Sequence, residues 1–392
     1  MDFNIPEDMK MVQTLAKDFV KDQLIPLEKD VLGRESDLEG ARRYLPAETE
    51  ANLIKMVKDL GLWGLNIPEQ FGGVSLGVLC SCLVEEELAK TVLPFDFGDV
   101  TPVLFDCTED QKAEYLVPLM ERQKSALLAL VETGKGKDPA EIEMKAVKDG
   151  DSYILNGKKI AFASSAKADF AIVFAVTDAG KGVREGVTCF LVDAGTAGFS
   201  ISGGGEKSGL RAQVNEPVTL IFDNCKVPAG KVLGEEGKAF HLGKQWLTNR
   251  RIIRAARCVG AAVRILDVAA EHAKSWTSFG QNIAGWPAIQ KALADMAVDI
   301  HAARLMVHQA ASKADEGQDI RDEADMVKVF STEMLRRVAG NAVLIKNGPG
   351  AYKGLPLELL CESMTVRNIS DRALDVQKFL IAGDLLKLGK IL

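Results

Sequence analysis

The sequence predicts a mainly α-helical protein with a middle β domain set between two helical units, and three observations predict it. Apolar residues recur at three- and four-residue spacing from the N-terminus to about residue 120. From about Ser125 to Pro228 the pattern changes to short β-rich runs bounded by turn residues. After Gly237 helical spacing returns over long stretches. The expected units are an N-terminal helical domain over 1–124, a small β-barrel or sandwich over 125–236, and a C-terminal four-helix bundle over 237–392.

In the first unit, Met9 to Val31, Ala51 to Leu62 and Leu79 to Lys90 carry the helical period. Gly61, Pro68 and the Gly72-Gly73 pair mark the joins. In the second, Tyr153-Ile154-Leu155, Ala171 to Val176, Val187 to Val192 and Val218 to Phe222 read as strands, with Asn156-Gly157 and Ala179-Gly180 among the turns. In the third, Ile289, Leu293, Met296, Ile300, Ala303 and Val307 share one helix face. Helices are expected over 238–274, 287–315, 321–347 and 373–388.

Composition excludes several classes. A hydrophobic fraction of 47% against 26% charged residues suits a globular protein able to bury a core. The net charge of −7, without a basic stripe, argues against nucleic acid as a partner. No window of eighteen apolar residues reads as a membrane span. The N-terminus carries acids where a secretory leader carries basic residues, so a cytoplasmic location is expected. Seven scattered cysteines, with Cys80 and Cys82 as a C-x-C pair lacking a second pair, read as buried free thiols. The histidines His241, His272, His301 and His308 have no carboxylate at ligand spacing, so no metal site is expected.

Near the C-terminus, Asp371 stands between an apolar segment and a helical run marked by Val376, Phe379, Leu380, Gly383 and Leu386. A carboxylate there is either a helix N-cap or a catalytic base, and local pattern leaves both open.

The order of units, together with several collinear motifs, resembles the acyl-CoA dehydrogenase family over nearly the whole chain. The motifs are Leu62 to Gly73, Ala129 to Ala146, Asn156-Gly157-Lys158-Lys159, Val227-Pro228 followed by Leu233 to Lys238, Phe279-Gly280 with Ile289-Gln290, and Asp375-Val376-Gln377 before Ile381-Ala382. The resemblance implies oxidation of an acyl-CoA thioester between its α and β carbons, with FAD as hydride acceptor and an electron-transfer flavoprotein or similar acceptor downstream. It also implies association as a homo-oligomer, or as a hetero-oligomer with a homologue. By the same resemblance Asp371 is the α-proton base. Val131, Glu132, Gly136, Ala161, Ala163, Ser164, Phe279, Asp375 and Gln377 would meet the cofactor. Lys137, Thr248, Arg251 and Arg372 would meet the substrate.

The chain departs from the family pattern around the flavin. Val131 and Lys137 stand where the family usually has Thr and Ser, and Ala161 and Ala163 where it commonly has Trp and Thr or Ser. Trp276 stands in place of an arginine for the FAD pyrophosphate, and Leu344 and Asn347-Gly348 replace a Gln and a Gly-Gly pair. Asp371 is a shorter acid than the usual Glu, and Arg372 follows it in place of Gly. These departures predict flavin binding that is weakened, rearranged or lost. Two alternatives to a dehydrogenase therefore stand: a flavin-poor partner subunit of a mixed oligomer, and a non-redox CoA-thioester enzyme or binding module.

Overall fold

The computed structural model describes residues 5–33, 45–93, 95–132, 142–163, 168–203, 216–346, 360 and 374–387. In the N-terminal unit, α1 (Glu7–Phe19) begins after Pro6, with Glu7 and Asp8 in the first turn and Lys17 in the last, as the helix dipole favours. The expected single helix through Val31 is instead broken. A wide turn over Val20–Leu24 and a tight one over Ile25–Leu27 intervene, the latter holding Pro26, which lacks the N–H a continuous helix needs. α2 (Ala47–Asp59) buries Leu53 and Val57.

α3 (Gly77–Leu88) is buried along its whole second half, including three consecutive acids, Glu85, Glu86 and Glu87. Each acid has a cation. Arg304 donates to Glu86 Oε1 at 2.7 Å and also through Nε, Lys90 lies 2.5 Å from Glu87, and Arg257 Nη1 lies 3.2 Å from Glu85. Buried charges persist only when paired in this way.

The middle unit is one hydrogen-bonded sheet. Its strands are β1 (Ala126–Ala129), β2 (Lys145–Asp149), β3 (Ser152–Ala163), β4 (Phe170–Val176), β5 (Val187–Asp193), β6 (Phe199–Ser202), β7 (Glu216–Pro228) and β8 (Val232–Leu233). The order is β6-β7-β3-β2-β4-β5-β8, and β1 pairs with β4 in parallel. The ring centroids of Tyr153 on β3 and Phe190 on β5 are 5.1 Å apart. Two strands lie between them, so a flat sheet would hold these rings about 14 Å apart at ~4.8 Å per strand. The sheet therefore curls over its own core, which unites Leu155, Ala171, Val173, Val192 and Leu220. The alternate residues of β4, Phe170, Ile172 and Phe174, face outward and pack on Val103, Leu104 and Tyr115 of the N-terminal unit. β4 and β5 are thus buried on both faces, which explains their unbroken apolar runs.

The C-terminal unit comprises α4 (Lys244–Ser275), α5 (Pro287–Asp315), α6 (Arg321–Lys346) and α7 (Leu374–Leu385). α4, α5 and α6 share one core through Ala255, Ile265, Ile300, Val307, Leu335 and Ala342. α3 joins them: a Cβ at Gly260 of α4 would lie 1.9 Å from the Glu86 carbonyl oxygen, so the two backbones touch. Of the six described cysteines, five are buried. Among the described residues no helix is long and apolar enough to cross a membrane, and no cluster of three ligating side chains forms.

Candidate active site

The end of β1 leads into the segment that follows Glu132, and the structure shows what fixes its base. Ile160 of β3 donates to the Val131 carbonyl at 2.8 Å. One residue on, Glu132 Oε1 accepts from Lys159 Nζ at 2.8 Å and from the Met144 amide at 2.9 Å, while Oε2 accepts from the Glu143 amide at 3.0 Å. The fully buried Lys159 also donates to the Leu130 carbonyl at 3.1 Å. Burial alone would raise the Glu132 carboxyl, but the Lys159 ammonium and the two amides outweigh it and hold the group below its ordinary range. Glu132 therefore ties together the two roots of the intervening segment, and its oxygens are engaged within the chain.

Ala161 is buried within the curled sheet, opposite Val218 on β7. Ala163 ends β3 opposite Glu216. At the start of α4, the Thr248 hydroxyl donates to the Lys244 carbonyl at 3.2 Å. Arg251 Nη1 donates to Asp325 on α6 at 3.1 Å, and Arg250 donates to Asp99 at 3.1 Å. Asp99 in turn lines a small cleft with Asn66, Ser81 and Glu85. Asn66 Oδ1 is buried there without a hydrogen-bond partner. Sequence reasoning missed this pocket. The only trace of it in the chain is the Glu85-Glu86-Glu87 run on an otherwise apolar helix face.

The far end of α4 carries a second constellation. Trp276 is followed by a hairpin of β9 (Thr277–Ser278) and β10 (Gln281–Asn282). Phe279 and Gly280 at its tip have φ of 49° and 77°, a turn with both central residues left-handed. A left-handed Phe costs about 1–2 kcal/mol, yet this ring is 93% exposed. Phe279 stacks on Trp286, with centroids 6.1 Å apart, and His272 stacks on Trp276 at 5.3 Å. The Trp286 indole N–H is buried without a partner.

On α7, Asp375 is exposed in the first turn and Gln377 is fully buried. Neither polar atom of the Gln377 amide has a partner, a rare state for a buried amide. Asp371, Arg372, Gly136, Lys137 and Ser164 lie outside the described residues. The expected residues that are described fall into four groups: Val131, Glu132, Ala161 and Ala163 in the β domain, Thr248 and Arg251 at the start of α4, Phe279 at its end, and Asp375 and Gln377 on α7.

Three family models match in sequence: acyl-CoA dehydrogenase N-terminal domain over 6–123, middle domain over 128–225 and C-terminal domain over 239–386. The chain is 31% identical to 3-(aryl)acrylate reductase of Clostridium sporogenes, with 97% of this chain and 99% of that protein covered. It is 30% identical to acryloyl-CoA reductase (NADH) of Anaerotignum propionicum, covering 99% and 96%. The solved butyryl-CoA dehydrogenase of Megasphaera elsdenii superposes with a TM-score of 0.84 at 32% identity, covering 98% of this chain and all of that one.

Proposed function

The chain belongs to the acyl-CoA dehydrogenase family, and from that premise we propose that it is an FAD-dependent enzyme interconverting an acyl-CoA thioester and its α,β-unsaturated form. The observation that carries this reading is the full-length likeness to butyryl-CoA dehydrogenase, with no unit missing. The bound flavin supplies hydride acceptance, which no side chain can. The chain's own residues orient the thioester and move its α proton. Asp371 is the base in this reading: an α C–H beside a thioester is a weak acid and gives up its proton to a well-positioned base, a role a carboxylate can fill. Glu132 serves as the anchor at the root of the cofactor-side segment.

Two features support a cofactor. The orphaned Gln377 amide and the unpartnered Trp286 N–H are buried polar groups that a polar ligand would satisfy. The reductase names of two relatives, one of them on acryloyl-CoA, support a reaction run toward the saturated product as well. Electron-transfer flavoprotein, or a similar carrier, is the proposed redox partner.

A second reading is a flavin-poor subunit paired with an intact homologue. The placement of Ala161 favours it, since its methyl is enclosed in the β-domain core and offers no hydrogen bond. The test is the visible spectrum of the purified chain. Bands near about 370 and 450 nm support the first reading. A colourless chain that copurifies with a yellow homologue selects the second.

A further inference from the structure

We infer that the cleft of Asn66, Ser81, Glu85 and Asp99 reads the far end of the acyl group, and that it selects a thioester carrying a neutral hydrogen-bond donor there, such as a hydroxyl. The inference names the substrate class of the dehydrogenase reading above and rests on it. Ser81, Val84 and Glu85 stand three and four residues apart on α3 and line the cleft from one helix face. The segment after α2 brings Asn66 to that face, and Phe97 and Asp99 complete the lining. Arg250, bonded to Asp99, joins the cleft to the first turns of α4, where the expected substrate residues Thr248 and Arg251 stand.

Charge, hydrogen bonding and size each narrow what fits. Both carboxylates are matched by arginines of α4, Asp99 by Arg250 at 3.1 Å and Glu85 by Arg257 at 3.2 Å. These charges cancel, so the cleft favours neither an ammonium nor a carboxylate end group. What it still offers is hydrogen-bond acceptance. Asn66 Oδ1 is buried without a partner. The Ser81 hydroxyl, on a residue only 4% exposed, donates to the Gly77 carbonyl at 2.8 Å, which leaves its lone pairs to accept. A buried acceptor left unpaired is costly, and a site built to bond a substrate hydroxyl rejects the analogue that lacks it. The cleft has room for about one water-sized group, the size of a hydroxyl. Val84 and Phe97 supply an apolar wall for the carbon skeleton behind it.

The test measures kcat/KM, with a dye as electron acceptor, for thioesters matched in carbon skeleton. Hexanoyl-CoA is compared with its ω-hydroxy, ω-amino and ω-carboxy derivatives, and phenylpropanoyl-CoA with its para-hydroxy derivative. Wild type should prefer the hydroxylated member of at least one pair by about tenfold or more, with no gain from the amino or carboxy group. Asn66→Leu, close in volume but without the acceptor, should bring that ratio to within about twofold of unity. Asn66→Asp, which keeps an acceptor, should retain the preference, and thermal melting confirms that both variants fold. Equal kcat/KM within both pairs, a preference for a charged end group, or a preference that survives in Asn66→Leu would overturn the inference. In each of those cases turnover itself leaves the dehydrogenase reading intact, and equal rates assign the cleft to a bound water. If no thioester is oxidised, that reading fails and binding of the same pairs decides the cleft. Tighter binding of a hydroxylated member, lost in Asn66→Leu, supports it, and equal affinity or no binding overturns it.

Discussion

Lys159 has no exposed surface and Glu132 very little, so neither charge has water to fall back on. Glu132→Leu should leave the ammonium buried alone and destabilise the protein by about 3–5 kcal/mol, whereas adding Lys159→Met should recover most of that loss. Urea unfolding of the two variants measures it. The pair also sets an acid limit. The Glu132 carboxyl lies below its unfolded value when folded, so its stabilisation is complete above the ordinary glutamate range. That stabilisation should vanish as pH falls through the lower folded value, and the acid slope of melting temperature should be shallower in Glu132→Gln. At this scale the sequence was only half legible. Glu132 stood out in a motif, but its partner Lys159 lies in another, and only the bridge between Val131 and Ile160 of β3 brings them together. Contacts of that kind leave no local periodicity to read.

Elements were read more surely. The last helices appear within a few residues of the expected spans because their apolar period is long and uninterrupted. β1, β2 and β6 escaped notice: each has four or five residues, and Lys145 to Asp149 carries charged residues at three of its five positions. Helix contacts give sharper predictions. Gly260→Ala should force α3 and α4 apart and cost about 1–3 kcal/mol, because its Cβ would meet the Glu86 carbonyl at 1.9 Å. Gly340→Ala on α6 meets nothing within 4 Å and should stabilise by up to about 1 kcal/mol. Melting curves of the two variants should shift in opposite directions. At the hairpin, Phe279→Asn suits a left-handed turn position and should raise the melting temperature. If the exposed ring serves the cofactor, the same change should lower the FAD content per chain.

For the whole molecule, each unit contributes a different part of the proposed chemistry. The curled sheet holds Glu132 against Met144 and Lys159, α4 carries the polar groups near the small pocket at its start and the aromatic hairpin at its end, and α7 follows the proposed base. The family and its fold could be read from collinear motifs, and two of them, Leu62 to Gly73 and Val227 to Lys238, sit at joins between elements. Whether flavin binds could not, because that depends on side chains from separate units and on backbone groups that substitution does not reveal. The proposed base gives a chain-wide prediction: Asp371→Asn should abolish exchange of the substrate α proton with solvent deuterium, followed by NMR, while thioester binding persists. The most direct measurement is an anaerobic titration of the purified chain with saturated acyl-CoA thioesters, following flavin absorbance near about 450 nm. A bleaching that develops with one thioester and returns on adding the electron acceptor is the predicted result. A flavin band that no thioester alters, or no flavin band at all, would contradict the account.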